Sequence, residues 1–445
     1  MKEALIQNRI SKSISRETVL EISALLGEPS WMKAARLRSF DVFEKTPVPT
    51  LKDEGWGYTD LSRLDLDKIS PSIDLDQGMA EGPSTPGLVN GIEKGWEVSG
   101  QLVLKNSRRS VNILAGALKE KGVIFTDMVS AIKKYPDLVH EYFINRVVRP
   151  MDKFTSLNSA LWGNGLFLYV PMGIEINIPI QWTLLLEGRG LGLFHHTLII
   201  ADEGSSVTCI AESRSAQTNG MAFASGVTEI FVKDMASVNY VDLQAWGNQI
   251  WDISTKRVLL GRGSRLNWTA GSIGGGLTRY NLETILGGEG SCVDISGLFM
   301  ASQNQHMDFS TLMHHIAPNT KGDLLIKGVL SDRARSVFQG MIKIDKSARK
   351  TDSYLANHNL LISEKARADS MPSLEIEAHD VQASHGATVG QVDEEQVFYL
   401  MSRGLDRSEA KGLIVNGFLE SLLQRVSVYG VRERLSAFIN EKRPL

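Results

Sequence analysis

Histidine and cysteine are the side chains here best suited to hold a soft metal or form a covalent link, and they are unevenly placed. Five of the nine histidines (His314, His315, His358, His379 and His385) fall between residues 314 and 385. His314 and His315 are adjacent on a strand-like run, so their rings face opposite sides and do not easily share an ion. His385 sits in the segment 381–390 between the small residues Ser384 and Gly386, which leaves its imidazole uncrowded. Such a ring suits a soft metal ion. A hydrogen-bonded loop histidine is the plainer alternative. The two cysteines, Cys209 and Cys292, form no CxxC motif, and a cluster held by four cysteines of this one chain is excluded. Both lie in strand-like runs without a neighbouring histidine, as core residues do.

Other catalytic patterns are missing. There is no GxxxxGK loop followed by Ser or Thr, so the chain is not expected to hydrolyse nucleotide itself. Gly274-Gly275-Gly276 reads as a turn between strands, since no helix start follows it. Neither a GxSxG elbow nor an HExxH pair occurs.

The elements that position these residues fall into three regions. Ser15 caps an expected helix that Gly27 and Pro29 end, and a second helix covers residues 30–45. A long irregular connection to about Trp96 follows, and helical spacing returns over 110–121 and 126–148. After Leu161 short alternating runs take over, and residues 161–300 hold 20 of the 40 glycines, which suits strands joined by tight turns. Gly204-Ser205, Ala236-Ser237, Gly263-Ser264 and Gly290-Ser291 each open such a run, a spacing that suggests a β-solenoid. A β-sandwich remains the alternative. Near the end, Asp393 with Gln396 and Asp406 with Glu409 mark two helix starts, and Ala410, Leu413, Ile414, Gly417 and Phe418 form an apolar stripe.

Composition narrows the function classes. With 48 basic and 51 acidic residues among 445, the net charge of −3 offers no bulk attraction to nucleic acid or an anionic membrane. No apolar run approaches the roughly 18–20 residues of a membrane span, and the first residues lack a signal-peptide core, so a cytoplasmic protein is expected.

One string carries more. Ser384-His385-Gly386-Ala387-Thr388-Val389-Gly390-Gln391-Val392-Asp393-Glu394-Glu395-Gln396-Val397-Phe398-Tyr399-Leu400, then Ser402-Arg403-Gly404, closely resembles the C-terminal signature of the SufB/SufD family of iron–sulfur cluster assembly proteins. Glu28-Pro29-Ser30-Trp31-Met32, Tyr135-Pro136-Asp137-Leu138-Val139, His315-Ile316-Ala317-Pro318-Asn319-Thr320-Lys321 and Arg335-Ser336-Val337-Phe338-Gln339-Gly340 extend the match along most of the chain.

The resemblance implies a mainly β protein, a right-handed parallel β-helix flanked by helical N- and C-terminal domains. The expected division is a mainly helical 1–160, a β-helix over 161–382, and a helical, ATPase-docking 383–445. It also implies a non-catalytic scaffold subunit that pairs with a SufB-like paralogue, docks a SufC-like ABC ATPase that hydrolyses ATP, and transfers nascent clusters. The B-type paralogue carries a cysteine where Asn357 precedes Leu360-Leu361, another near Thr284, and Glu on both sides of the histidine. Ser384-His385-Gly386 is the D-type form, with Ala383 where a cysteine often stands. His385 is therefore the main candidate ligand for a transient interface cluster, with His358 second, and no cluster is expected to be held tightly by this chain alone. Phe398, Leu400, Met401, Ile414 and Phe418 are the candidate ATPase anchors. The alternatives are a homo-oligomeric iron or sulfur carrier using His358, His379 and His385, with a homodimer in place of the paralogue pair, or a β-helix enzyme acting on polysaccharide.

Overall fold

A computed structural model describes residues 13–73, 97–143, 148–216, 220–426 and 429–441. Helix α1 (Arg16–Leu26) begins where the Ser15 hydroxyl accepts from the Thr18 amide, and it ends at Gly27 with φ 63°. Helix α2 (Ser30–Lys45) follows. Strand β1 (Ser70–Pro71) is short.

The helix expected over 110–121 gives way to a hairpin. Strands β2 (Gly100–Lys105) and β3 (Arg108–Leu114) pair antiparallel, leaving α3 only Gly116–Glu120. Asn106 (φ 48°) and Ser107 (φ 70°) form the two-residue turn, with the positive φ pair that matches strand twist. The pattern over 126–148 likewise opens as strand β4 (Ile124–Asp127) before α4 (Met128–Lys134) and α5 (Pro136–Tyr142), with part of it outside the described residues. Helix α6 (Lys153–Leu161), capped by Asp152, is buried along its whole length.

The solenoid then begins. Its first half is β5 (Asn164–Val170), β6 (Glu175–Leu186), β7 (Leu191–Ala201), β8 (Ser206–Ser215), β9 (Ala222–Val232), β10 (Ser237–Ala245), β11 (Ile250–Leu260) and β12 (Arg265–Ser272). The second half is β13 (Leu277–Leu286), β14 (Cys292–Ala301), β15 (His306–His315), β16 (Lys321–Leu330), β17 (Arg335–Ile344), β18 (Thr351–Leu361), β19 (Arg367–Ile376) and β20 (Val381–Gln391). Odd strands stack into one parallel sheet and even strands into the other, giving a β-solenoid of about 8 turns with helices at both ends of the chain. The hairpin β2–β3 and strand β4 close the N-terminal end by antiparallel pairing. At the far end β20 runs on to Gln391, so the division expected after residue 382 falls inside a strand.

Each coil turns through a residue in the left-handed region. Gly204, Met235, Gly263, Gly290, Asn319 and Lys350 have φ between 57° and 71°. They stand two residues before Ser206, Ser237, Arg265, Cys292, Lys321 and Asp352, which are side by side in the ladder. The repeat seen in the sequence is thus real but one residue out of phase at Ala236, because Met235 holds the turn.

Three apolar regions result. The lumen is filled by inward residues of both sheets, such as Trp182, Trp268, Phe299 and Phe338. The N-terminal helices pack on the outer face of the odd-strand sheet, through residues such as Phe194 and Phe223. The C-terminal helices cover the outer face of the even-strand sheet, against Val241, Leu298 and Val329.

Candidate functional site

Strand β20 ends the even-strand sheet. It pairs only with β18 among the described residues, so its other edge presents free backbone groups. His385 lies mid-strand, not in the loop its small neighbours suggested, and stands beside Leu355. Leu355 is fully buried in the lumen core, and Val381 and Ala383 pack against that core. Alternation therefore puts His385 on the lumen side of the last coil. With no further coil over it, the residue is exposed, and it has no side-chain hydrogen-bond partner among the described residues. Ser384 and Gly386 occupy the outer face, so they do not flank the ring. Gly386 leaves space for Tyr354, whose hydroxyl would lie 3.2 Å from a Cβ there.

His358 is on the outer face of β18. Its Nδ1 lies 2.7 Å from Thr388 Oγ1, and burial, then the charge of Lys327, holds its pKa below the usual value. His358 and His385 thus face opposite sides of the sheet and do not converge on one ion. His379 is exposed at the corner before β20. Four strand residues, about 13 Å, separate Val381 from His385. Among the described residues no group of three or more His, Cys, Asp or Glu is placed to hold a metal ion.

The adjacent pair His314 and His315 and the two cysteines lie apart from this edge. His315 is buried, with Nδ1 2.8 Å from Thr320 Oγ1 and Nε2 3.1 Å from Ser353 Oγ, while His314 faces out toward Asp345 at 2.9 Å. Burial, then His314, lowers the His315 pKa to about 4. Cys209 is sealed in the lumen, and burial pushes its thiol pKa up. Cys292, expected in the core, is instead only half-buried at the start of β14, because Val293 and Ile295 take the lumen side and alternation turns it outward. Asn357 and Thr284, at the positions linked to B-type cysteines, are both fully buried.

The C-terminal helices are α7 (Glu394–Ser402), α8 (Arg407–Leu423) and α9 (Tyr429–Glu441). Asp393 caps α7 without the second half of a capping box, whereas Asp406 and Glu409 complete one on α8. The buried stripe of α8 is Ala410, Val415, Leu419 and Leu422, rotated from the expected one. The candidate anchors divide accordingly. Phe398 (74% exposed) and Met401 are open, whereas Leu400, Ile414 and Phe418 pack partly into the helical core. Tyr399 and Leu413 are exposed alongside them; Leu413 belongs to the expected stripe, and Tyr399 is not among the expected anchors.

Lys327 on β16 secures the root of this surface. Its Nζ donates to the Phe418 carbonyl and to Ser421 Oγ, each at 2.6 Å, and it lies 4.6 Å from the Phe418 ring centroid. Burial lowers its pKa. Arg425 holds the same end of α8 through Asp323 and, at 3.8 Å, Asp294. Cations at the C-terminal end of a helix also complement its dipole.

Residues 184–418 match the family described as "SUF system FeS cluster assembly, SufBD core domain", and residues 102–182 match "SufBD protein N-terminal region". An iron–sulfur cluster assembly SufBD family protein of Staphylococcus epidermidis is 32% identical over 93% of this chain and 89% of its own length. One from Staphylococcus aureus shows the same identity and coverage. Family match, similarity over nearly the full length and solenoid agree: the chain belongs to the SufBD family of iron–sulfur cluster assembly proteins.

Proposed function

We propose that this chain is a D-type, non-catalytic scaffold subunit of an iron–sulfur cluster assembly complex, acting in the cytoplasm. The open end of the solenoid pairs with a SufB-like paralogue, and α7 with the N-terminal half of α8 receives a SufC-like ABC ATPase. The nascent cluster is cargo. His385 lends it one ligand, and the paralogue supplies the others.

The observation that carries this reading is His385, exposed on an edge strand whose outer side is unpaired among the described residues. A second chain added along that edge satisfies its backbone groups and brings its own side chains to the ring. A ligand set divided between chains also suits a product that must be released. The Ser384-His385-Gly386 sequence supports the D-type assignment, and the exposed Phe398, Tyr399 and Met401 support docking at α7. ATP bound by the partner shifts the assembly only so far as it binds two arrangements unequally.

The test is co-expression of the three subunits with iron and sulfide supply, read by visible absorption. His385→Ala is expected to leave the complex assembled and remove the cluster band. A normal cluster yield removes His385 from the site, and a cluster held stably by the chain alone would favour the homo-oligomeric carrier.

A further inference from the structure

At one level of the lumen the inward side chains of the even-strand sheet are small. Along the even-strand sheet the inward column runs Asp242, Ala270, Gly297, Ile326. Across the lumen the odd-strand column runs Lys256, Leu282, Thr311, Gly340. Ala270 and Gly297 contribute little bulk, and a cavity of about 30 Å³ opens beside them, bordered also by Trp268, Thr311, Asp242 and Lys256. Gly297 has no room for a Cβ, which would meet Ile326 Cγ1 at 2.8 Å, so the space persists one step to the side of the packed column.

The wall is largely apolar, yet it carries hydrogen-bonding groups that nothing satisfies. Trp268 Nε1 and Thr311 Oγ1 have no partner among the described residues, in side chains only 1% and 4% exposed. Lys256 is paired with Asp242 and lies 4.1 Å from the Tyr280 ring centroid, which leaves ammonium protons over. Each buried unmet group costs about 1–3 kcal/mol.

Charge narrows the occupant. Lys256 is already neutralised by Asp242, so an added anion or cation would be an uncompensated charge in a dry interior. A small neutral molecule that accepts hydrogen bonds fits, and a water needs only about 10–15 Å³ of such space with two or more polar partners. We infer that this lumen cavity is a binding site for ordered water, which accepts from Trp268 and Thr311 and solvates the Lys256–Asp242 pair.

The test uses crystals of the full chain, measured natively and under xenon pressure. Water density within about 3.2 Å of both Trp268 Nε1 and Thr311 Oγ1 is expected, with no xenon at the site. Xenon occupancy, or a cavity free of density, overturns the inference. Thr311→Val, nearly isosteric, gives an independent reading. A hydrated hydroxyl makes the variant melt below the native chain, whereas a dry one makes it melt at or above the native temperature, which also counts against the site. Where the two readings differ, the density decides.

Discussion

Leu355 and His385 are register partners on β18 and β20, yet the first is sealed in the lumen and the second is open to solvent. One missing coil accounts for the difference. The same inward column that carries packing residues through the rod carries, at its last position, an imidazole with nothing above it.

Docking at α7 is best tested without unfolding the tail. Removing residues 393–445 would strip the cover from Val241, Leu298 and Val329, so its effect would not be local. Phe398→Asp touches a side chain that is 74% exposed. It is expected to leave the melting temperature unchanged and to weaken capture of the ATPase subunit at least tenfold in a binding titration. Undiminished binding would move the docking surface elsewhere.

Lys327→Met keeps the aliphatic stem but removes the two donors to Phe418 and Ser421. The expected loss is about 1–3 kcal/mol. Hydrogen exchange should quicken in α8 and stay unchanged in β5 to β12. Uniform acceleration throughout the chain would mean that Lys327 serves global stability instead of anchoring one helix.

The turn at Met235 places a bulky residue in the left-handed region that Gly204 and Gly263 occupy without strain. Met235→Gly is expected to stabilise the chain by about 1 kcal/mol in denaturant unfolding. Gly263→Ala should do the reverse, because φ is 62° and the new Cβ would lie 2.5 Å from Met235 Sδ. Equal midpoints for the two variants would contradict the shared turn geometry.

Acid should act through the buried histidines, His195 with its pKa lowered to about 3 and, testable by a polar substitution, His315. Its folded pKa of about 4 lies below the ordinary value of 6.5, so the unfolded chain binds the proton more readily. Stability contributed by the neutral ring is full above about pH 6.5 and is lost as pH falls toward 4. His315→Gln is expected to flatten the stability profile across that window while lowering stability at pH 8. An unaltered slope would show that other groups dominate. His306 is less suitable, since Asp308 beside it has a raised pKa and contributes with opposite sign.

Much of the rod was legible because glycine marks its corners at Gly204, Gly263 and Gly290. The phase slipped at Met235, and Asn319 and Lys350 gave no sign at all, since packing can hold other residues in the conformation glycine adopts freely. The hairpin at Asn106 and Ser107 was hidden by apolar spacing that suits a short helix equally well. His385 was picked out, but its strand was read as a loop. Ala383, Ser384, Gly386 and Gly390 lack the bulk of a covered strand, and only the stacked coil beneath β20 holds them extended. The stripe of α8 was misplaced because that helix also carries apolar residues outside its buried face.

The bare margins of β19 and β20 bear on manufacture as well as on architecture. Left uncovered, these margins expose a template for indiscriminate strand addition, the route by which proteins clump. The last turn of the rod thus carries an aggregation hazard that grows with the concentration of the chain.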